Sequence, residues 1–303
     1  MAMTDIAAQD GPQASGDAIT GIDHVVIGVK DLDGARDDFT RLGFTISPRG
    51  RHVGWGTANY TVMFENDYLN LMSVVDPSQD LNTLDEFLEE GEGLFRTVFA
   101  TPDASALCSR LERETGEEAV TTDLGREAEF NGSGPATLRF KIVHLPQGLT
   151  PGMRTYACDH LTPKLLRKAE WLSHPNGARR IAQVTVAMED LTEVPDAYAR
   201  LFGGEAISGE PKKGTLVVDT GGAKLQFLTP KAFTKEHYDV VLDRRLPLPR
   251  LAALTLEVAD PEATALYLSG QQVNFVQEPD GTVQVPPEET HGVLMEFARA
   301  TLA

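Results

Sequence analysis

One pattern recurs four times and constrains the fold more than any other feature: an apolar run of strand character, an aspartate, then apolar residues at helical spacing. The copies read "DHVVIGVKDLDGARDDF", "FRTVFATPDASALCSRL", "AQVTVAMEDLTEVPDAYARLF" and "AALTLEVADPEATALYL". Their aspartates, Asp31, Asp103, Asp190 and Asp260, stand where a carboxylate can accept the free N–H groups that open a helix. Shorter strand-like runs follow each helix: "FTISPRG", "GTANYTVMFE" and "YLNLMSVV" in the first copy, "TLVVDT" and "AKLQFLT" in the third, "TVQVPP" and "GVLMEFA" in the fourth. The second copy offers "TLRFKIVHL" and "MRTYACDHL". The spacing predicts an α+β protein of four βαβββ units paired into two domains.

The units set the organisation of a chain of 303 residues. Residues 1–19 read as a flexible tail, 20–162 as a first domain, 163–180 as a connector with a Pro-Asn-Gly turn, and 181–303 as a second domain. The stretch "LNTLDEFLEEGEG" reads as an acidic amphipathic helix between copies one and two. A net charge of -18 argues against nucleic acid and an anionic membrane surface as partners, because both are bound through clustered Lys and Arg. Two cysteines without CxxC spacing imply neither a disulfide framework nor a structural zinc cluster. No basic, apolar leader and no apolar run of membrane-spanning length is seen, so a cytoplasmic location is expected.

Four such units, with "LGFTISPRGRHVGWGTANYTVMFENDYLNLMSV" and "CDHLTPKLLRKAEWLSHPNGA", resemble the vicinal oxygen chelate superfamily and, within it, the glyoxalase-like domain proteins. The resemblance covers essentially everything after residue 20. It implies two glyoxalase-like domains whose paired units roll into cup-shaped mixed sheets around a metal or substrate site, with ligands at one place on the first strand and one on the last strand of each unit. Seven residues before the shared aspartates stand His24, Arg96, Gln183 and Ala253. The last-strand place holds Asn70, Gln226 and Glu296, and in the second copy alternation sets Tyr156, Cys158 and His160 on one face. The first cup is therefore the better site, with His24 and His160 as the expected metal ligands for Fe, Zn, Mn or Ni. The second reads as a degenerate copy, with Glu296 and nearby His291 as its ligand-like pair. Relatives often read "YLEL" where this chain has "YLNL", so Asn70 offers a neutral amide where a carboxylate would stand.

Other first-half residues carry their own chemistry. His52, in "GRHVGWGTAN", can be a general base near neutral pH or a hydrogen-bond donor, and with Asn70 forms the expected catalytic pair. Thr57 and Asn59 offer short polar groups, Trp55 an aromatic wall, and Arg96 a bidentate hold on a carboxylate, which makes these four the expected substrate contacts. The expected activity is a metal-assisted lyase or isomerase acting on a small molecule with adjacent oxygens. An extradiol dioxygenase would want a histidine where Gln183 stands. Two alternatives stay open: a sequestering protein without turnover that resembles bleomycin-resistance proteins, and a metal-free acid/base enzyme. The resemblance also suggests a homodimer.

Overall fold

The computed structural model describes residues 18–130, 134–238 and 240–299. Most of the expected tail, residues 1–17, lies outside the described residues; Ile19 is already buried in the core.

The first unit runs β1 (Gly21–Gly28), α1 (Leu32–Arg41), β2 (Gly50–Val53), β3 (Thr57–Met63) and β4 (Tyr68–Val74). Helix α2 (Leu84–Glu90) leads to the second, β5 (Gly93–Ala100), α3 (Ala104–Thr115), β6 (Thr121–Phe130), β7 (Gly134–His144) and β8 (Tyr156–His160). Beyond the short α4 (Pro163–Leu166) comes the third, β9 (Ala178–Ala187), α5 (Val194–Phe202), β10 (Ile207–Glu210), β11 (Thr215–Asp219) and β12 (Lys224–Leu228). Helix α6 (Pro230–Glu236) precedes the fourth, β13 (Arg250–Val258), α7 (Pro261–Gly270), β14 (Val276–Gln277), β15 (Val283–Val285) and β16 (Leu294–Arg299). The repeated βαβββ grammar is thus realised in all four copies, paired two and two into eight-stranded sheets.

Three aspartates cap their helices as expected: Asp31 accepts from Gly34 N, Asp103 from Ser105 and Ala106 N, and Asp260 from Glu262 N. Asp190 does not. Its carboxylate is spent on the N–H and hydroxyl of Thr192, and α5 begins beyond that turn, after Glu193.

The halves differ in closure. The first eight strands, in the order β1-β4-β3-β2-β6-β7-β8-β5, form a closed barrel, because β2 pairs with β6 from Gly50↔Ala128 to Val53↔Gly125. The second eight form an open sheet whose edges are β10 and β14. Strand length explains the difference: β6 has 10 residues and reaches β2, whereas the corresponding β14 has 2 and can pair only with β15. The sequence had suggested a strand over "FTISPRG"; the strand instead begins at Gly50, so His52 lies on β2.

One continuous apolar core fills the space outside the barrel and joins both halves through Phe39 of α1, Leu107 of α3, Tyr198 of α5 and Leu268 of α7. Truncating a fully buried ring such as Phe39 to Ala would cost about 3–5 kcal/mol. A second cluster, including Val26, Met63, Tyr68, Val98, Phe140, Tyr156 and Cys158, lines the barrel interior.

Candidate active site

A break in strand register builds the centre of the site. Between β1 and β5, Ile22 faces Phe99 and His24 faces Val98, so Asp23 is an extra residue with no partner of its own. A bulge re-aims side chains that strict alternation would send to opposite faces. Here it brings the buried Asp23 carboxylate to 2.6 Å from His24 Nδ1. The far end of the second unit supplies His160, whose Nε2 lies 2.9 Å from Asp23. Tyr68 stacks on the His24 ring at 4.4 Å, and Phe140 stands edge-on to His160 at 5.1 Å.

Burial alone would raise the Asp23 carboxyl, but the charge and hydrogen bonds of His160 and His24 outweigh it and hold the group well below the usual carboxylate range. An ionised carboxylate only accepts, so both facing ring nitrogens donate. That fixes the outward atoms: His24 presents Nε2 and His160 presents Nδ1. His160 Nδ1 is buried and has no hydrogen-bond partner among the described residues. Burial, against the pull of Asp23, lowers His24 below the ordinary histidine value.

Donor atoms of Asp23, Cys158 and His160 lie within 4.8 Å of one another. The set fits a divalent ion. It offers one anionic oxygen, the imidazole nitrogen that faces it, His160 Nε2, whose proton an ion would displace, and a thiol that burial and Asp23 push well up and that would lose its proton to a metal. An O, N and S set suits zinc, iron and other late divalent ions.

The seam that closes the barrel supplies a second cluster. His52 and Arg126 are cross-strand partners on β2 and β6, and Gly50 faces Asn59 across β2 and β3. Arg126 Nε donates to Asn59 Oδ1 at 2.8 Å, and Asn59 Nδ2 donates to Asn70 Oδ1 at 2.7 Å. A Cβ at Gly50 would overlap the Arg126 guanidinium and stand 2.7 Å from Asn59 Oδ1, so glycine there clears the arginine's path. Burial pulls Arg126 down to about 10, and no carboxylate pairs with it among the described residues.

His52 Nδ1 lies 2.8 Å from Thr57 Oγ1. Burial first, then Arg126 and His24, pull the ring down to about 3, so it is neutral at ordinary pH. Trp55 stands half-buried with its ring 5.9 Å from His52.

The expected residues therefore divide into groups. His24 and His160 meet through Asp23; His52 and Thr57 are bonded; Asn59 and Asn70 are bonded, and this commits the Asn70 oxygen. Arg96 stands apart, stacked on Phe95 at 4.7 Å and on Tyr156 at 5.3 Å, where it faces the cleft between the two halves. Sequence reasoning missed Asp23, hidden by the assumption of alternation, and Arg126, whose strand carries too much charge to read as apolar. The spacing of Leu124, Arg126 and Ala128 was the available signal.

In the second half Gln183 Nε2 donates to Gln226 Oε1 at 3.0 Å. Glu296 does not pair with His291, which reaches Asp38 and Glu92 instead. It accepts from Thr255 and Gln284 and lies 2.7 Å from His237 Nδ1, a histidine that the strand pattern gave no reason to place there.

Residues 22–202 match the family described as glyoxalase-like domain. No curated protein matches the sequence significantly. Among solved structures, a hypothetical protein from Staphylococcus aureus is similar at TM-score 0.63 and 12% identity, over 92% of this chain and 98% of that one. A mutant of 4-hydroxymandelate synthase from Streptomyces coelicolor is similar at TM-score 0.55 and 13% identity, over 92% of each chain. A xylose isomerase-like TIM barrel/4-hydroxyphenylpyruvate dioxygenase fusion protein is similar at TM-score 0.53 and 16% identity; the likeness covers 95% of this chain and half (50%) of that one. At these identities the structures establish the fold alone. The match over residues 22–202, more than half of the sequence, makes this chain a member of the glyoxalase-like domain family, within the vicinal oxygen chelate superfamily.

Proposed function

We propose that this chain is a metal-assisted lyase or isomerase whose site is the interior of the first barrel. Its substrate would be an anionic small molecule with adjacent oxygens, such as an α-hydroxy carbonyl, enediol or catechol-like compound. The observation that carries the reading is one buried carboxylate, Asp23, orienting two histidines inside a barrel that also holds the uncompensated guanidinium of Arg126.

Asp23, Cys158 and His160 would hold the ion, of the Fe, Zn, Mn or Ni class. When bound, it supplies Lewis-acid polarisation of the substrate oxygens. Arg126 binds the anionic end of the substrate, and the Asn59–Asn70 pair holds its guanidinium in place. His52, fixed on Thr57 through Nδ1 and neutral, is a hydrogen-bonding partner for the substrate rather than a base. His24, with Nδ1 fixed on Asp23, takes a proton at Nε2 from the carbon beside the oxygens. The rings of Tyr68 and Phe140 exclude water around both histidines.

The test is solvent deuterium exchange, followed by NMR, at that carbon in a panel of α-hydroxy carbonyls and enediols with protein loaded with each ion. Exchange that is present in wild type and lost in His24→Gln supports the reading. Saturable binding of a panel member without exchange would replace it with sequestration.

A further inference from the structure

Between the two halves lies a cleft of about 820 Å³, within the range that holds drug-sized ligands. Its walls come from both halves: Phe87 of α2 and Leu94 of β5 on one side, and Phe233 of α6, the loop residues Leu242 and Leu246, and Leu251 of β13 on the other. At one end it opens into a more polar recess of about 310 Å³ lined by Asn82, His144 and Thr155. Arg96 lines both spaces and stands at their junction.

Arg96 is 7% exposed, and its Nε is buried with no hydrogen-bond partner among the described residues. The rest of its guanidinium makes a long contact to Asn82 O at 3.4 Å, lies over the faces of Phe95 and Tyr156, and has the Tyr156 hydroxyl as a neutral hydrogen-bonding neighbour, so no carboxylate matches its charge among the described residues. A buried guanidinium N–H left unmatched is costly, so a ligand acceptor would relieve it. Arg250 lines the same cleft with an orphaned Nη1. The nearby acids are largely committed: Asp243 is held bidentately by Arg245, and Glu92 accepts from Lys30 N and faces His291. Glu90 and Glu288 lie towards solvent at the rim. In a chain of net charge -18, this cleft has an apolar body and an unmatched cation at its inner end.

We propose that the cleft is a second binding site, separate from the barrel interior, for an amphipathic carboxylate whose head sits on Arg96 and whose apolar chain lies between the halves. Arg forms paired N–H contacts to a carboxylate, and the rings flanking Arg96 keep water from competing. The apolar walls then select for chain length.

The test is calorimetric titration of the full chain with decanoate, with decanol and acetate as controls for tail and head alone. Decanoate is expected to bind saturably and the controls at least about tenfold more weakly. Arg96→Met should abolish decanoate binding. Leu246→Asp, a change on the loop wall that leaves the Arg96 stack intact, should weaken it at least about tenfold. Equal binding of decanol, or unchanged decanoate affinity in both variants, overturns the site. Loss in Arg126→Met with retention in Leu246→Asp overturns it too, because the carboxylate would then lie in the barrel.

Discussion

His160 Nε2 reaches the Asp23 carboxylate at 2.9 Å across 137 residues of sequence, and the same carboxylate already holds His24 at 2.6 Å. The charge is thus shared between the first strand of one unit and the last strand of the next, so the site exists only when both units are in place.

Removing that carboxylate strands two buried rings. Asp23→Ala should lower stability by about 3 kcal/mol at neutral pH, read as a fall in Tm or in the denaturant midpoint. Asp23 is held below its ordinary value, so its contribution is present above the unfolded carboxylate value and is lost as pH falls below it. The gap between wild type and variant should narrow in acid. A constant gap down to the acid limit would mean that Asp23 acts through packing rather than charge.

Asp67 titrates in the opposite sense. Burial pushes its carboxyl up to about 7, while its Oδ1 accepts from Ile181 N at 3.0 Å and so ties the first barrel to β9. The protonated form is the one the fold favours, so its stabilisation is complete below the unfolded value of 3.8 and is lost as pH rises through about 7. Asp67→Asn keeps the acceptor and removes the charge. It should be more stable than wild type at pH about 8, by an amount that shrinks steadily towards pH about 4. Equal midpoints of the two proteins at every pH would contradict this.

Gly50 controls where Arg126 can lie. Gly50→Ala forces the guanidinium off Asn59. Once a substrate is found, kcat/KM should fall at least about tenfold, as it should in Arg126→Met. Wild-type kinetics in Gly50→Ala would show that Arg126 does not touch the reacting molecule.

Glu296 gathers the polar groups of the open sheet: His237, Thr255 and Gln284. Glu296→Ala leaves all three short of an acceptor in a buried place and should cost about 2–4 kcal/mol. It should leave the metal content of the first barrel unchanged. A loss of metal in this variant would move the centre into the second half.

The fold was legible because the repeat imposes its periods on apolar residues, and apolar residues decide what is buried. The Pro-Asn-Gly turn of the connector was legible too; beside it His174 accepts from Thr45 N and donates to Met63 O. What escaped depends on contacts that the repeat does not encode. Asp23 faces inward because of a bulge one residue long, and β6 is a strand because β2 and β7 offer it partners on both sides. Asp190 had the right position for a cap, but a threonine two residues on competes for the same carboxylate.

The most direct measurement is elemental analysis of the purified chain beside Asp23→Asn, His160→Ala and His24→Gln. The account expects near-stoichiometric iron, zinc, manganese or nickel in wild type and in His24→Gln, and its loss in the other two. No metal in wild type after incubation with each ion, or undiminished metal in His160→Ala, would contradict it.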